Sequence, residues 1–238
     1  MNIALILSGG TGTRMGTDIP KQYIEVCGKP VISYCIECIS KHPKIDAIQI
    51  VAEEEWRELI SESIEQLAQT KETGISGRFK GFSKPGANRQ LSIYNGLKAI
   101  KEYAGDNDYV FIHDAARPLL SVQQISDCLD AVQGHDGVIP VLPMKDTVYS
   151  STDGKTITSL LNRKEIYAGQ APEVFQLRKY YEANRRLLPD EILRINGSTE
   201  PAVMAGMDIA MIPGDEKNFK ITTPSDLGRF ERIIRGYE

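Results

Sequence analysis

The chain opens on a run of apolar positions, residues 2–7 (NIALIL), which stops at Ser8-Gly9-Gly10. A short unbroken apolar run that ends in glycines predicts a strand buried on both faces and entering a glycine loop. Pro30 then opens an apolar helical stretch to about His42, with proline at its first turn. Residues 45–51 alternate and predict a strand, whereas 53–69 carry a helical period with a charged outer face. A short strand over 78–82 leads into Lys84-Pro85-Gly86. Residues 88–103 predict a helix with Ile93, Leu97 and Ile100 on one face. Residues 108–113 predict another buried strand, ending at Asp114, followed by a helix over 121–133 and a strand over 136–141.

From Met144 to Gly169 the pattern breaks into short, polar, strand-like pieces around a turn at Thr152-Asp153-Gly154-Lys155. These predict a hairpin-like arm, about residues 144–170, inserted into the domain. Beyond it come a helix over 177–188, a last core strand over 208–212 and a closing helix over 223–235, capped by Thr222 or Thr223. Strand–helix alternation over the first 140 residues predicts a three-layer, Rossmann-like α/β domain with a mostly parallel sheet. With no linker, repeat or low-complexity tract, residues 1–238 form one domain. In such sheets ligands bind outside the carboxyl ends of the strands. The glycine loop and Asp114 both fall there.

Composition narrows the classes. The net charge of −4 argues against a general binder of nucleic acid or anionic membranes, though not against a local basic pocket. No run approaches the roughly 20 apolar residues of a membrane span, and no basic-then-apolar leader precedes the first strand. Cys35 and Cys38 have redox or zinc spacing but sit in an apolar run with no second pair, so they are expected to be helix thiols. Reduced thiols fit a cytoplasmic protein.

Four clusters could carry chemistry. Glycines in Leu7-Ser8-Gly9-Gly10-Thr11-Gly12-Thr13-Arg14-Met15 let backbone N–H groups approach phosphate oxygens. Arg14 adds a forked cation and Lys21, after Pro20, a point charge. The loop is not a Walker A motif, since no Gly-Lys-Ser/Thr follows, and Met15 stands where a dinucleotide fingerprint needs its third glycine. A plain tight turn is the bland alternative. Asp114, in His113-Asp114-Ala115-Ala116-Arg117-Pro118, is suited to hold Mg²⁺ between phosphates, or simply to cap a turn. His113 and the Arg117-Pro118 corner are expected to be structural. Gly86-Ala87-Asn88-Arg89 leading to Ser92 can present backbone groups to a base or ribose. Lys220 lies among apolar neighbours and is otherwise a surface lysine. The arm residues, Asp146-Thr147 and Asn162-Arg163 among them, predict a solvated hairpin on physical grounds alone.

Three motifs taken in order, Leu7-Ser8-Gly9-Gly10 through Pro20-Lys21-Gln22, His113 through Pro118, and Lys220-Ile221-Thr222-Thr223-Pro224-Ser225-Asp226-Leu227, resemble the cytidylyltransferases of sugar-alcohol phosphates. The resemblance covers essentially the whole chain and implies their nucleotidyltransferase fold. Asp146-Thr147-Val148, residues 162–170 and Ile233-Ile234-Arg235-Gly236 are more similar to the ribitol 5-phosphate branch than to the 2-C-methyl-D-erythritol 4-phosphate branch. The resemblance implies that Leu7, Ser8, Gly9, Gly10, Gly86, Ala87, Asn88, Arg89, Ser92, Asp114 and Ala115 hold CTP. Arg14 and Lys21 would stabilise the α-phosphate and Asp114 would bind Mg²⁺. Arg163 and Lys220 would position the alditol phosphate, with Thr147, Thr199 and Glu200 beside it. It further implies a homodimer in which the arm, through Thr147 and Arg163, completes the partner's site. Gln170-Ala171-Pro172-Glu173, Leu91 and Ser198-Thr199-Glu200-Pro201 depart from the family pattern. They bear on the alcohol more than on the nucleotide chemistry. The rival readings are a nucleotidyltransferase for another base or a sugar 1-phosphate, an inactive nucleotide-binding regulatory protein, and a dehydrogenase. Retention of Arg14, Lys21, Asp114 and Lys220 argues against the second; Met15 argues against the third.

Overall fold

The computed structural model describes residues 1–10, 16, 19–70 and 72–237. Its strands are β1 Asn2–Leu7, β2 Glu25–Val26, β3 Lys29–Pro30, β4 Ala47–Val51, β5 Phe79–Ser83, β6 Tyr109–Asp114, β7 Gly137–Pro143, β8 Val148–Ser150, β9 Ser159–Leu161, β10 Tyr167–Gly169, β11 Glu173–Gln176 and β12 Ile209–Pro213. Its helices are α1 Val31–Lys41, α2 Arg57–Ala68, α3 Ile75–Arg78, α4 Arg89–Ile100, α5 Val122–Ala131, α6 Leu177–Arg185, α7 Glu200–Met204 and α8 Pro224–Ile234.

The main sheet has eight strands and runs β5-β4-β1-β6-β11-β7-β12. Strand β10 lies against the end of β7 at Val141–Pro143, next to the stretch that β11 meets. The β1, β4, β5 and β6 pairings are parallel, as is β7 with β12; β10 and β11 run antiparallel to β7. Period-two alternation then sorts the side chains. Ala4, Ile6, Ile48 and Ile50 face the layer of α1, α2 and α5. Ile3, Leu5, Ala47 and Val51 face α4, α6 and α7, where Ile93, Leu97 and Ile100 are buried as the helical period required. Both faces are covered, which is why β1 and β6 read as continuous apolar runs.

The three-layer α/β expectation therefore stands, with several differences. The charged stretch after β4 begins as a 3-10 turn at Glu54–Trp56 before α2. The hairpin β2–β3, strand β11 and helix α7 were not anticipated. The arm is narrower than expected: β8 and β9 form a separate two-stranded ribbon, whereas β10 belongs to the main sheet. Thr223 is the α8 cap. Its hydroxyl accepts from the Asp226 N–H while the Asp226 carboxylate accepts from the Thr223 N–H. Cys35 is fully buried and Cys38 half-buried in α1, and burial pushes the Cys38 thiol up to about 11. They are packing thiols, as the apolar run implied. Among the described residues no helix is long and apolar enough to cross a membrane.

Candidate active site

Leu7 pairs in register with both Val51 and Asp114. The loops that leave β1, β4, β5 and β6 therefore share one edge of the sheet. Between them lies a cleft of about 410 Å³. Leu7, Gly9 and Gly10 line one wall, Gly86 to Arg89 with Ser92 the other, and Lys21, Asp114 and Lys220 reach it from separate segments. The two loops touch. A Cβ on Gly9 would sit 2.5 Å from the Pro85 ring, so only glycine permits this approach. Gly86 is pinned from the other side, where a Cβ would meet Leu91 at 2.5 Å. Asn88 caps α4 by accepting from Leu91 N–H at 2.8 Å. Ser92 Oγ accepts from Gly86 N–H at 2.9 Å and donates to the Asn88 carbonyl at 2.8 Å.

Asp114 is the electrostatic centre. Arg89 donates to its Oδ1 from Nε at 3.2 Å and Nη2 at 3.0 Å, Lys220 Nζ donates to Oδ2 at 3.0 Å, and Arg117 Nε lies 3.5 Å from Oδ2. Burial alone would raise its pKa, but the Arg89, Lys220 and Arg117 charges outweigh burial and hold it well below the ordinary carboxylate range. Magnitudes explain why several cations are needed. Desolvating a carboxylate costs several kcal/mol, and one close pair returns about 4 kcal/mol at an effective dielectric of about 20. Lys220 is delivered by the segment before α8: Ile221 N–H donates to the Ala116 carbonyl at 2.8 Å, and Arg117 Nη1 donates to the Asn218 carbonyl at 2.7 Å.

The remaining candidates divide. Ser8 and Ala115 are buried behind the cleft. Ser8 N–H donates to the Val51 carbonyl and Ala115 N–H to the Leu7 carbonyl, so these amides hold the loops. His113 is fully buried, its Nε2 bonded to the Arg117 carbonyl at 3.0 Å, and burial lowers its pKa to about 4. It is structural, as expected. Arg14 lies outside the described residues. Thr147 and Arg163 are exposed on the arm and do not line the cleft; Arg163 Nη1 donates to the Lys145 carbonyl at 2.7 Å. Thr199 and Glu200 also lie off the cleft lining, and Glu200 Oε2 accepts from Asn196 N–H at 2.9 Å. Gln22 and Glu53 do line it. Neither was singled out as a site residue, and only the position of Gln22 beside Lys21 hinted at it. Among the described residues no group of three His, Cys, Asp or Glu could hold a metal by itself.

The family described as IspD, 2-C-methyl-D-erythritol 4-phosphate cytidylyltransferase, matches residues 2–236. The chain is 34% identical over 231 residues to a ribitol-5-phosphate cytidylyltransferase of Streptococcus pneumoniae serotype 2, covering 95% of this chain and 96% of that one. It is 35% identical over 243 residues to a 2-C-methyl-D-erythritol 4-phosphate cytidylyltransferase of Rubrobacter xylanophilus, covering 99% and 96%. It is 36% identical over 234 residues to a bifunctional IspD/IspF enzyme of Granulibacter bethesdensis, where it covers 97% of this chain and only 56% of the longer protein. Its fold is similar to that of a 4-diphosphocytidyl-2C-methyl-D-erythritol synthase of Anaerococcus prevotii, with a TM-score of 0.81, 23% identity and coverage of 98% and 96%.

Proposed function

The chain belongs to the IspD family of cytidylyltransferases, and from that premise we propose that it transfers the cytidylyl group of CTP to D-ribitol 5-phosphate, releasing pyrophosphate. The observation that carries this reading is the cleft at the strand ends, where a glycine loop faces Lys21, Lys220 and the ion-paired Asp114. The ribitol choice rests on the arm and C-terminal motifs. A second reading, 2-C-methyl-D-erythritol 4-phosphate, draws on the family description and on a relative of similar identity.

In the reaction a phosphate oxygen of the alditol phosphate forms a bond to the α-phosphorus of CTP. The opposite bond, to the bridging oxygen of pyrophosphate, breaks in line. Both reactants are anions, so the protein's largest contribution is electrostatic. Lys21 and Arg14 stabilise charge at the α-phosphate, and Lys220 holds the incoming phosphate. The Gly86 to Ser92 segment presents backbone groups to cytosine and ribose.

The donor set fits Mg²⁺ in one way. Asp114 is a single carboxylate, and Mg²⁺ is commonly held by one or two carboxylates together with substrate phosphates. Asp114, whose oxygens are paired with Arg89 and Lys220, would hold the ion beside the nucleotide phosphates. Once bound it would neutralise phosphate charge.

The protein works as a homodimer. Tyr149, Ile157 and Leu160 of the arm are exposed by 52%, 67% and 66%, and an isolated two-stranded ribbon is marginal in water. A second subunit that covers this face would receive Thr147 and Arg163 at its alditol site. Four free thiols suit a cytoplasmic location. The test is pyrophosphate release from CTP and Mg²⁺ with ribitol 5-phosphate, 2-C-methyl-D-erythritol 4-phosphate and glycerol 3-phosphate in parallel. Fastest turnover of ribitol 5-phosphate is expected. Preference for either other alditol overturns the ribitol choice, and equal use of UTP or ATP overturns the base assignment.

A further inference from the structure

A loop that binds phosphate must turn its carbonyls away from the anion and its N–H groups toward it. In this chain one buried side chain is placed to do so. Residues Lys21–Tyr23 form a 3-10 turn, and Gln22, 3% exposed, reaches back under the glycine loop. Its Nε2 donates to the Ser8 carbonyl at 2.8 Å and to the Gly10 carbonyl at 2.7 Å. A primary amide nitrogen carries two hydrogens, so both are spent on the two loop carbonyls. Because a trans peptide is planar, drawing the Ser8 carbonyl toward Gln22 turns the Gly9 N–H, on the opposite edge of that plane, the other way. Gly9 is one of the residues lining the cleft. Tyr23 completes the clamp: its hydroxyl donates to the Ser8 carbonyl at 2.8 Å and accepts from Ser8 Oγ at 2.8 Å. The same turn brings Lys21 to the cleft.

We propose that Gln22 is a positioning residue for the triphosphate: it fixes the glycine loop, and Lys21 with it, in the phosphate-binding arrangement before the nucleotide arrives. The inference rests on the cytidylyltransferase assignment. It predicts that losing the amide damages nucleotide binding and spares the alditol phosphate. Glutamate at this position would set carboxylate oxygens against two carbonyl oxygens and add negative charge beside the triphosphate. Leucine would remove only the hydrogen bonds.

The molecule carries its own reporter. Its single tryptophan, Trp56, stacks on Tyr23 with ring centroids 4.4 Å apart at 14°. Trp56 emission thus senses the residue that holds Ser8. The experiment compares wild type, Gln22→Leu, Gln22→Glu and Gln124→Leu, the last removing another buried glutamine on α5, away from the cleft. CTP and inorganic tripolyphosphate are titrated by calorimetry and by Trp56 emission, and kcat and both KM values are measured. Gln22→Leu is expected to weaken CTP binding about thirtyfold, the equivalent of about 2 kcal/mol for two hydrogen bonds. Gln22→Glu should weaken it further. KM for the alditol phosphate should move less than about threefold in both variants, a bound set at about half of one net hydrogen bond. Gln124→Leu should lower Tm without this split. The proposal is overturned if folded Gln22→Leu binds CTP as wild type does, or if it loses both substrates in proportion to its loss of Tm. Wild type that binds tripolyphosphate but not CTP refutes the base assignment instead, and the Gln22 comparison is then decided on tripolyphosphate.

Discussion

The cleft and the arm put similar residue types to opposite uses. At the cleft, Arg89, Arg117 and Lys220 converge on one carboxylate that is only 10% exposed, from segments as far apart as residues 89 and 220. Each loop around them is tied by buried or part-buried hydrogen bonds. On the arm, Arg163 is exposed and its Nη1 donates to the Lys145 carbonyl. An exposed cation is screened and mobile, and contributes little until something covers it. The difference shows what one chain completes alone. The cleft at the strand ends is tied together within one chain, whereas Thr147 and Arg163 of the arm stand in solvent.

The largest expected effect falls on the two cations assigned to the α-phosphate. Lys21→Ala and Arg14→Ala should each lower kcat by at least about a hundredfold, the magnitude for removing a preorganised contact to developing charge. Steady-state kinetics on variants with unchanged circular dichroism decide this. Near wild-type kcat in both would remove these residues from the mechanism and leave the cleft no more catalytic than the arm.

Asp114→Asn comes next, because it attacks the rigidity that distinguishes the cleft. It leaves three cations facing each other without their counter-charge. Removing one partner of a fully buried pair costs roughly 3–5 kcal/mol; the partial exposure of Arg89 and Lys220, 33% and 34%, reduces the expectation to about 2 kcal/mol. The pH dependence has a definite sign. The folded pKa of Asp114 is depressed, so its stabilisation is complete above the unfolded carboxylate value and is lost as pH falls toward the folded one. The gap between wild type and variant in urea unfolding should be level near neutrality and shrink only in acid. A gap that grows on acidification would contradict the ion-pair account.

The arm is tested by mixing. Arg163→Ala and Lys21→Ala, each nearly inactive alone, should recover up to about a quarter of wild-type activity after subunit exchange. Random pairing makes half the dimers mixed, and each mixed dimer has one undamaged site if the arm serves its partner. No recovery after confirmed exchange, or full activity in a monomer by light scattering, would sink the shared site and make the arm an ordinary surface hairpin.

How much of this was legible follows physical lines. Long, strongly periodic elements such as β1, α4 and β6 announced themselves, because burial on both faces or on one face imposes a pattern over many residues. Strand β11 escaped: it has four residues, follows a proline turn and begins with Glu173. Helix α7 has five residues, too few for a period. The glycine loop and Asp114 were visible as strand-end motifs. Their meeting with Lys220, 106 residues away, was suggested by the family resemblance and not by local pattern. The pairing of Arg89 with Asp114 and the Gln22 clamp depend on tertiary placement that no local rule encodes. The arm was recognisable as polar and strand-like, but not that β10 would leave it for the main sheet.

The smallest effect concerns what lies beneath the cleft. Glu173, at the head of β11, is 7% exposed and its Oε2 has no hydrogen-bond partner among the described residues. Burial raises its pKa; Arg89, a bond to Ser198 and Arg117 pull the other way, and Asp114 adds to the rise. Burial wins, and the pKa of the carboxyl is raised above its ordinary value. A carboxyl with a raised folded pKa imposes no penalty below the unfolded value and destabilises progressively as pH rises through the folded one. Glu173→Gln removes the ionisation while keeping the size, and should therefore match wild type in acid and be slightly more stable near neutrality. The gain stays small because Arg89 loses a nearby negative charge at the same time. Urea unfolding near pH 4.5 and pH 7.5 reads the difference. If the variant is instead less stable at pH 7.5 and equal at pH 4.5, Glu173 is ionised and serves Arg89 as a second counter-ion. The preorganised charge of the cleft would then extend one layer deeper into the sheet, sharpening the contrast with the arm.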